Sequence, residues 1–128
     1  MNLGYVIVYT PDVIAAVEFY ERAFGLTRRF VAESNDYAEL DTGATALAFA
    51  HDSMAALNKL TVRPNRPGEV AAGVELALVT DDVAAAYAKA LAAGATEVSA
   101  PEQKPWGQTV SYVRDRDGVL VELCSPMG

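Results

Sequence analysis

The chain repeats itself, and that repeat constrains its fold more than any single motif does. Thr10-Pro11-Asp12-Val13 opens one stretch of helical apolar spacing, and Thr80-Asp81-Asp82-Val83 opens another. The offset is 70 in both comparisons (80 − 10; 83 − 13), and Ala15-Ala16 and Ala85-Ala86 keep it. Gly25 and Gly94 close the two stretches one residue out of step. Asp41-Thr42-Gly43 and Asp115-Arg116-Asp117-Gly118 then provide a hairpin turn in each half. An ordered set of matches at a fixed offset marks an internal duplication. Each half reads strand, helix, strand, hairpin. The fold class predicted is α+β: two tandem βαβββ modules, 1–62 and 70–128, joined by a Pro/Gly-containing linker, 63–69. A sheet with a helix on one side only leaves its other face free to curl into a cleft around a ligand.

Period-two alternation assigns the faces. In residues 3–10, Val6 and Val8 share one face, and Tyr5, Ile7 and Tyr9 the other. Thr10 is expected to cap the first helix with Pro11 at its first position. Val13, Ala16, Val17, Tyr20 and Phe24 form its apolar stripe, and Gly25 ends it. A strand over 26–32 and a hairpin of 37–41 with 45–51 complete the first module. Residues 54–60, MAALNKL, allow one or two helical turns, and RPNRPGE reads as a loop. In 74–80, Leu76 and Leu78 face one way and Glu75, Ala77 and Val79 the other. The Ala-rich helix 81–93 should bury Val83, Ala86, Tyr87, Ala90 and Leu91. A short strand, 96–99, leads into the proline-bearing loop APEQKPWGQ. The final hairpin places Val119, Val121 and Leu123 on one face and Leu120, Glu122 and Cys124 on the other.

Composition narrows the function. Ten basic and seventeen acidic residues give a net charge of −7, which argues against nucleic acid, whose binding rests on neutralising phosphates. The same charge is compatible with a cationic ligand. No apolar run approaches the roughly 20 residues of a membrane span, and the first residues lack a signal peptide's basic and small-residue signature. With Cys124 the only cysteine, no internal disulfide is available, which fits a reducing, cytoplasmic setting.

At the repeat offset Tyr5 matches Glu75, and Glu122 matches Leu47 or Ala48 depending on turn length. These strand positions converge on the helix-free side. Tyr5, Tyr9 and Phe49 are expected to face that concave side together, and Trp106, beside Gly107, can stack on a flat ligand or plug an interface. Glu75 and Glu122, if buried close together, must share a proton unless a cation neutralises them. They bind a ligand's cation or tie the modules together by a hydrogen bond. Arg28, Arg29 and Arg114 are expected to be solvated or paired with acids. The chain carries no Ser-His-Asp arrangement, P-loop, dinucleotide glycine fingerprint or Cys/His cluster.

PDVIAAVEFYERAFGL, TDDVAAAYAKALAAGA and PWGQTVSYVRDRDGVLVEL resemble the vicinal oxygen chelate superfamily of glyoxalase I, bleomycin-resistance proteins, fosfomycin-resistance enzymes and extradiol dioxygenases. The resemblance implies two βαβββ modules, often assembled across a homodimer. It also implies that metal-dependent members ligate from positions matching Tyr5, Leu47 or Ala48, Glu75 and Glu122. This chain departs at two of the four, and one histidine, His51, is available to swing in. Two carboxylates and a phenol make a poor site for metals that favour imidazole or thiolate, so no catalytic metal cofactor is expected. The leading expectation is a metal-free protein that binds an aromatic or cationic small molecule. Its site would be lined by Tyr5, Phe49, His51, Glu75, Trp106 and Glu122. The rivals are a metal-dependent lyase or isomerase and a non-catalytic interaction subunit.

Overall fold

The structure, a computed structural model, describes residues 1–127. It divides into two compact units, Met1–Pro64 and Asn65–Gly128, the last residue of the second lying outside the described residues. The first unit runs β1 (Tyr5–Thr10), α1 (Val13–Phe24), β2 (Thr27–Val31), β3 (Tyr37–Asp41), β4 (Ala46–His51) and the short α2 (Ser53–Leu57). Its sheet has the order β1-β4-β3-β2, parallel between β1 and β4 and antiparallel elsewhere. The second unit runs β5 (Glu75–Val79), α3 (Val83–Ala92), β6 (Thr96–Gln103), β7 (Thr109–Arg114) and β8 (Leu120–Cys124), with the matching order β5-β8-β7-β6. Both units therefore have the expected βαβββ design.

The repeated Thr-x-Asp motif starts both helices by one device. The Asp12 and Asp82 side chains accept from the backbone N–H of Ala15 and Ala85 at 3.1 and 3.0 Å. The Oγ1 atoms of Thr10 and Thr80 each accept from the N–H of that aspartate at 3.2 Å. Asp12, not Thr10, is thus the helix cap, because its shorter reach to the first turn satisfies a donor the helix leaves open. Pro11 lies ahead of the helix rather than at its first position. Gly25 ends α1 in the left-handed conformation, φ 67°, where an L side chain would be crowded.

One face of each sheet meets its helix. Val13, Ala16, Val17, Tyr20 and Ala23 of α1 are buried, as are Leu40 and Phe49 of the sheet. The Tyr20 ring lies 4.9 Å from that of Phe49. In the second unit Val83, Tyr87 and Ala90 of α3 lie with Val113, Val121 and Leu123 among the buried residues, and Ala86 and Leu91 are only half-buried. β6 extends beyond the four residues expected, to Gln103. It is an edge strand, and its pairing with β7 shifts between Ser99 and Glu102. Pro101 is tolerated at that irregularity because no ladder donor is needed there. No helix among the described residues is long and apolar enough to cross a membrane.

Candidate functional site

The helix-free face of the second unit's sheet carries the densest polar chemistry. Ala77 of β5 pairs with Glu122 of β8, which pairs with Tyr112 of β7. One row along, Glu75 pairs with Leu120, which pairs with Arg114. Alternation then sets Glu75, Glu122, Tyr112 and Cys124 on one side, away from Leu76, Leu78, Val121 and Leu123. Glu122 is 9% exposed, whereas Glu75 is exposed at the edge strand. The Tyr112 hydroxyl donates to Glu122 Oε1 at 3.1 Å.

The two carboxyls titrate in opposite directions from the ordinary glutamate value. The hydrogen bond to Glu122 raises the Glu75 pKa, with burial and the neighbouring charge acting the same way. Burial opposes ionisation of Glu122. Hydrogen bonds from Glu75, Cys124 and Tyr112 outweigh that and hold it below the usual carboxylate range. Of the two, Glu122 ionises the more readily. Burial, then the bond to Glu122, pushes the Tyr112 phenol up to about 12 and the Cys124 thiol up to about 11. The Tyr112 hydroxyl that donates to Glu122 is a neutral group, the Cys124 thiol donates to the Leu78 carbonyl at 3.8 Å, and among the described residues no basic side chain pairs with Glu122.

In the first unit the register decides which residue corresponds to Glu122. Ile7 pairs with Ala48, and Ala48 with Glu39, just as Ala77 pairs with Glu122 and Glu122 with Tyr112. Ala48 therefore occupies the Glu122 position, and Leu47 points to the helix. The carboxylate has moved one strand over, to Glu39. It is 8% exposed, accepts from the Tyr37 hydroxyl at 2.7 Å and lies 3.4 Å from Arg29. Burial, then the bond to Glu39, pushes Tyr37 up to about 12. The Phe30 ring sits 6.0 Å from that of Tyr37. Tyr5, 59% exposed, and Tyr9 occupy the same helix-free face from β1. The sequence signal for Glu39 is its i, i+2 spacing from Tyr37 within the 37–41 strand, which puts both side chains on one face.

Three expected site residues sit elsewhere. Phe49 pairs with Val8 on the helix side and is 1% exposed against Tyr20. It belongs to the core, because the alternation of β4 gives its helix-free face to Ala46, Ala48 and Ala50. His51 also falls on the helix side, opposite Thr10. Its Nδ1 accepts from the Ser53 N–H at 3.1 Å and contacts Ser53 Oγ at 2.7 Å, which ties it to the start of α2. Trp106 is exposed at the β6–β7 turn, its Nε1 donating to Gln108 Oε1 at 2.9 Å.

Of the arginines, Arg28 pairs with Glu21 at 2.9 Å and Arg29 with Glu39 and Asp41 at 3.4 Å. Arg114 pairs with no acid among the described residues. It binds main-chain carbonyls instead, donating to Gly118 at 2.8 Å and Glu69 at 2.7 Å, with Pro67 and Arg66 at 3.4 and 3.5 Å. Residues 66–69, part of the linker expected over 63–69, are thereby tied to Arg114 within the second unit.

The four positions at which the resemblance implies metal ligands hold Tyr5, Ala48, Glu75 and Glu122. Ala48 has no side-chain donor atom and Tyr5 offers only a phenol. Among the described residues no three His, Cys, Asp or Glu side chains group as a metal site. The donor set does not fit the metal of the metal-dependent members.

Comparison with known proteins agrees with this architecture. None of the curated proteins compared matches the chain. Among solved structures, a glyoxalase-related enzyme from Fulvimarina pelagi is 21% identical with a TM-score of 0.82, over 98% of this chain and 88% of that one. A glyoxalase/bleomycin resistance protein/dioxygenase family enzyme from Burkholderia phytofirmans PsJN is 23% identical with a TM-score of 0.79, over 98% of both chains. TioX from Micromonospora sp. ML1 is 24% identical with a TM-score of 0.74, also over 98% of both. These likenesses establish the fold. The sequence profile described as Glyoxalase/Bleomycin resistance protein/Dioxygenase superfamily matches residues 2–123, and with nearly the whole chain covered, the protein belongs to that superfamily.

Proposed function

We propose that the protein binds a cationic, aromatic small molecule, without a catalytic metal, on the helix-free face that carries Glu75 and Glu122. One observation carries this reading: Glu122 is a buried carboxylate that accepts from the neutral Tyr112 hydroxyl, and among the described residues no basic side chain pairs with it. An ammonium or amidinium group placed against the pair supplies the missing charge. A charge-assisted hydrogen bond of this kind contributes about 1.5–3 kcal/mol. The adjacent Tyr112 ring offers an aromatic surface. The superfamily's own description includes bleomycin resistance, and bleomycin is a cationic, aromatic molecule.

Binding a cation favours ionisation of both carboxyls, so it opposes the rise in the Glu75 pKa. Affinity then rises with pH through the raised Glu75 titration. The test is calorimetry with benzamidinium and bleomycin, repeated in buffers of different ionisation enthalpy. Saturable binding with proton release is expected, weakened about tenfold or more by Glu122→Gln. Equal affinity in Glu122→Gln, or no saturable binding of either probe, overturns the reading. Stoichiometric Ni²⁺, Zn²⁺ or Mn²⁺ binding that Glu75→Gln abolishes would replace it with a metal-dependent lyase or isomerase.

A further inference from the structure

The face that carries Glu75 and Glu122 also carries a cation, and that cation is turned away from them. Its titratable and charged groups are Glu75 on β5, Glu122 and Cys124 on β8, Tyr112 and Arg114 on β7, and Glu102 on β6, opposite Val110. Lys104, just beyond β6, lies 3.6 Å from Glu102. Arg114 is the basic group nearest the pair in register. It pairs with Leu120, so Glu122 is its diagonal neighbour. Such neighbours stand about 7–8 Å apart, within reach of a long side chain. A guanidinium beside an unneutralised carboxylate would ordinarily close on it.

The main chain prevents this. Arg114 Nε donates to the Gly118 carbonyl at 2.8 Å and Nη2 to that of Glu69 at 2.7 Å, with Pro67 at 3.4 Å from Nη1 and Arg66 at 3.5 Å from Nη2. The Glu69 N–H closes the 66–69 turn onto the Arg66 carbonyl at 3.2 Å, which gathers these oxygens into one cradle. Gly118 makes the cradle possible. Its φ is +90°, and a Cβ there would lie 2.5 Å from Arg114 Nη2 and 2.6 Å from the Arg66 oxygen.

We infer that Arg114 is a held-off counterion. Its capture by the carbonyls of Gly118, Glu69, Pro67 and Arg66 keeps the Glu75–Glu122 pair open to a cation from outside, and Gly118 is thereby a specificity-determining position. The binding part rests on the function proposed above; the electrostatic part stands alone. A guanidinium that merely pinned the 66–69 turn would leave the pair's ionisation unchanged when released. A held-off counterion falls onto the pair.

The experiment compares the full chain with Arg114→Lys, Arg114→Met, Gly118→Ala and the double variant Arg114→Met/Gly118→Ala. Two readouts are taken: side-chain carboxyl titrations by carbon NMR, and benzamidinium affinity. Arg114→Lys keeps the charge but not the fork, so the Glu75 titration should fall and affinity should drop about tenfold. Gly118→Ala should do the same. Arg114→Met should keep the wild-type titration, and the double variant should regain it. Because Arg114→Lys places nothing at Gly118, the inference is decided even if Gly118→Ala does not fold. Unchanged carboxyl titrations in Arg114→Lys overturn it, as does a Gly118→Ala defect that the double variant retains. If wild type fails to bind benzamidinium, the proposed function fails, while the titrations still decide the role of Arg114.

Discussion

Removing the Asp115 carboxylate should loosen the hairpin that presents Glu122. Asp115 is 3% exposed, and its Oδ1 accepts from the N–H of Asp117 at 2.8 Å and of Val119 at 2.9 Å. The backbone of Asp115 also exchanges bonds with Gly118 and Val119 at 3.0 and 2.9 Å. Asp115→Ala keeps that backbone ladder but strands two buried donors. Bonds to a charged acceptor contribute about 1.5–3 kcal/mol each, and partial access of water to the turn lowers the sum to about 2–4 kcal/mol. Asp115→Asn keeps an acceptor oxygen and loses only the charge, so it should cost about 1 kcal/mol. Urea unfolding followed by the fluorescence of Trp106, the one tryptophan, reports on this unit. At an m-value of about 2 kcal/mol/M the alanine variant's midpoint should fall by about 1–2 M. An alanine variant within about 0.5 kcal/mol of wild type, the usual spread for inconsequential surface changes, would refute the reasoning. So would an asparagine variant as damaged as the alanine one.

Two further outcomes follow from the geometry. Cys124, raised from 9.0 to about 11, and Tyr112, raised from 10.0 to about 12, contribute stability that is fully present below the unfolded values. It is lost as pH climbs through the folded ones, so urea midpoints should decline between pH 9 and 12, and Cys124→Ala should flatten the lower half of that decline. Phe49→Ala should cost about 3–5 kcal/mol by leaving a cavity against Tyr20, with benzamidinium affinity unaltered in the folded protein; a selective loss of affinity would return Phe49 to the site.

Much of this architecture is legible in the letters. The Thr-x-Asp repeat marks both helix starts because capping is a local matter of a few atoms, and the alternation in β5 and β8 is enough to group Glu75 with Glu122. Local pattern fails where pairing decides. Whether Leu47 or Ala48 corresponds to Glu122, and whether Phe49 faces the ligand side or the helix, turns on a one-residue register, and a slip of one residue exchanges the two faces of a strand.

What the sequence alone determined is the duplicated βαβββ design, the acidic balance and the presence of two carboxylates on helix-free strand positions. Only the tertiary structure decided their chemistry. Tyr112 of β7 donates to Glu122 of β8, and Glu75 of β5 shares their face, while carbonyls of the distant 66–69 turn hold Arg114 aside. The physical reason is that ionisation and pairing depend on the groups that surround a charge in space, and those groups are brought together by strand pairing across long stretches of chain rather than by neighbours in sequence.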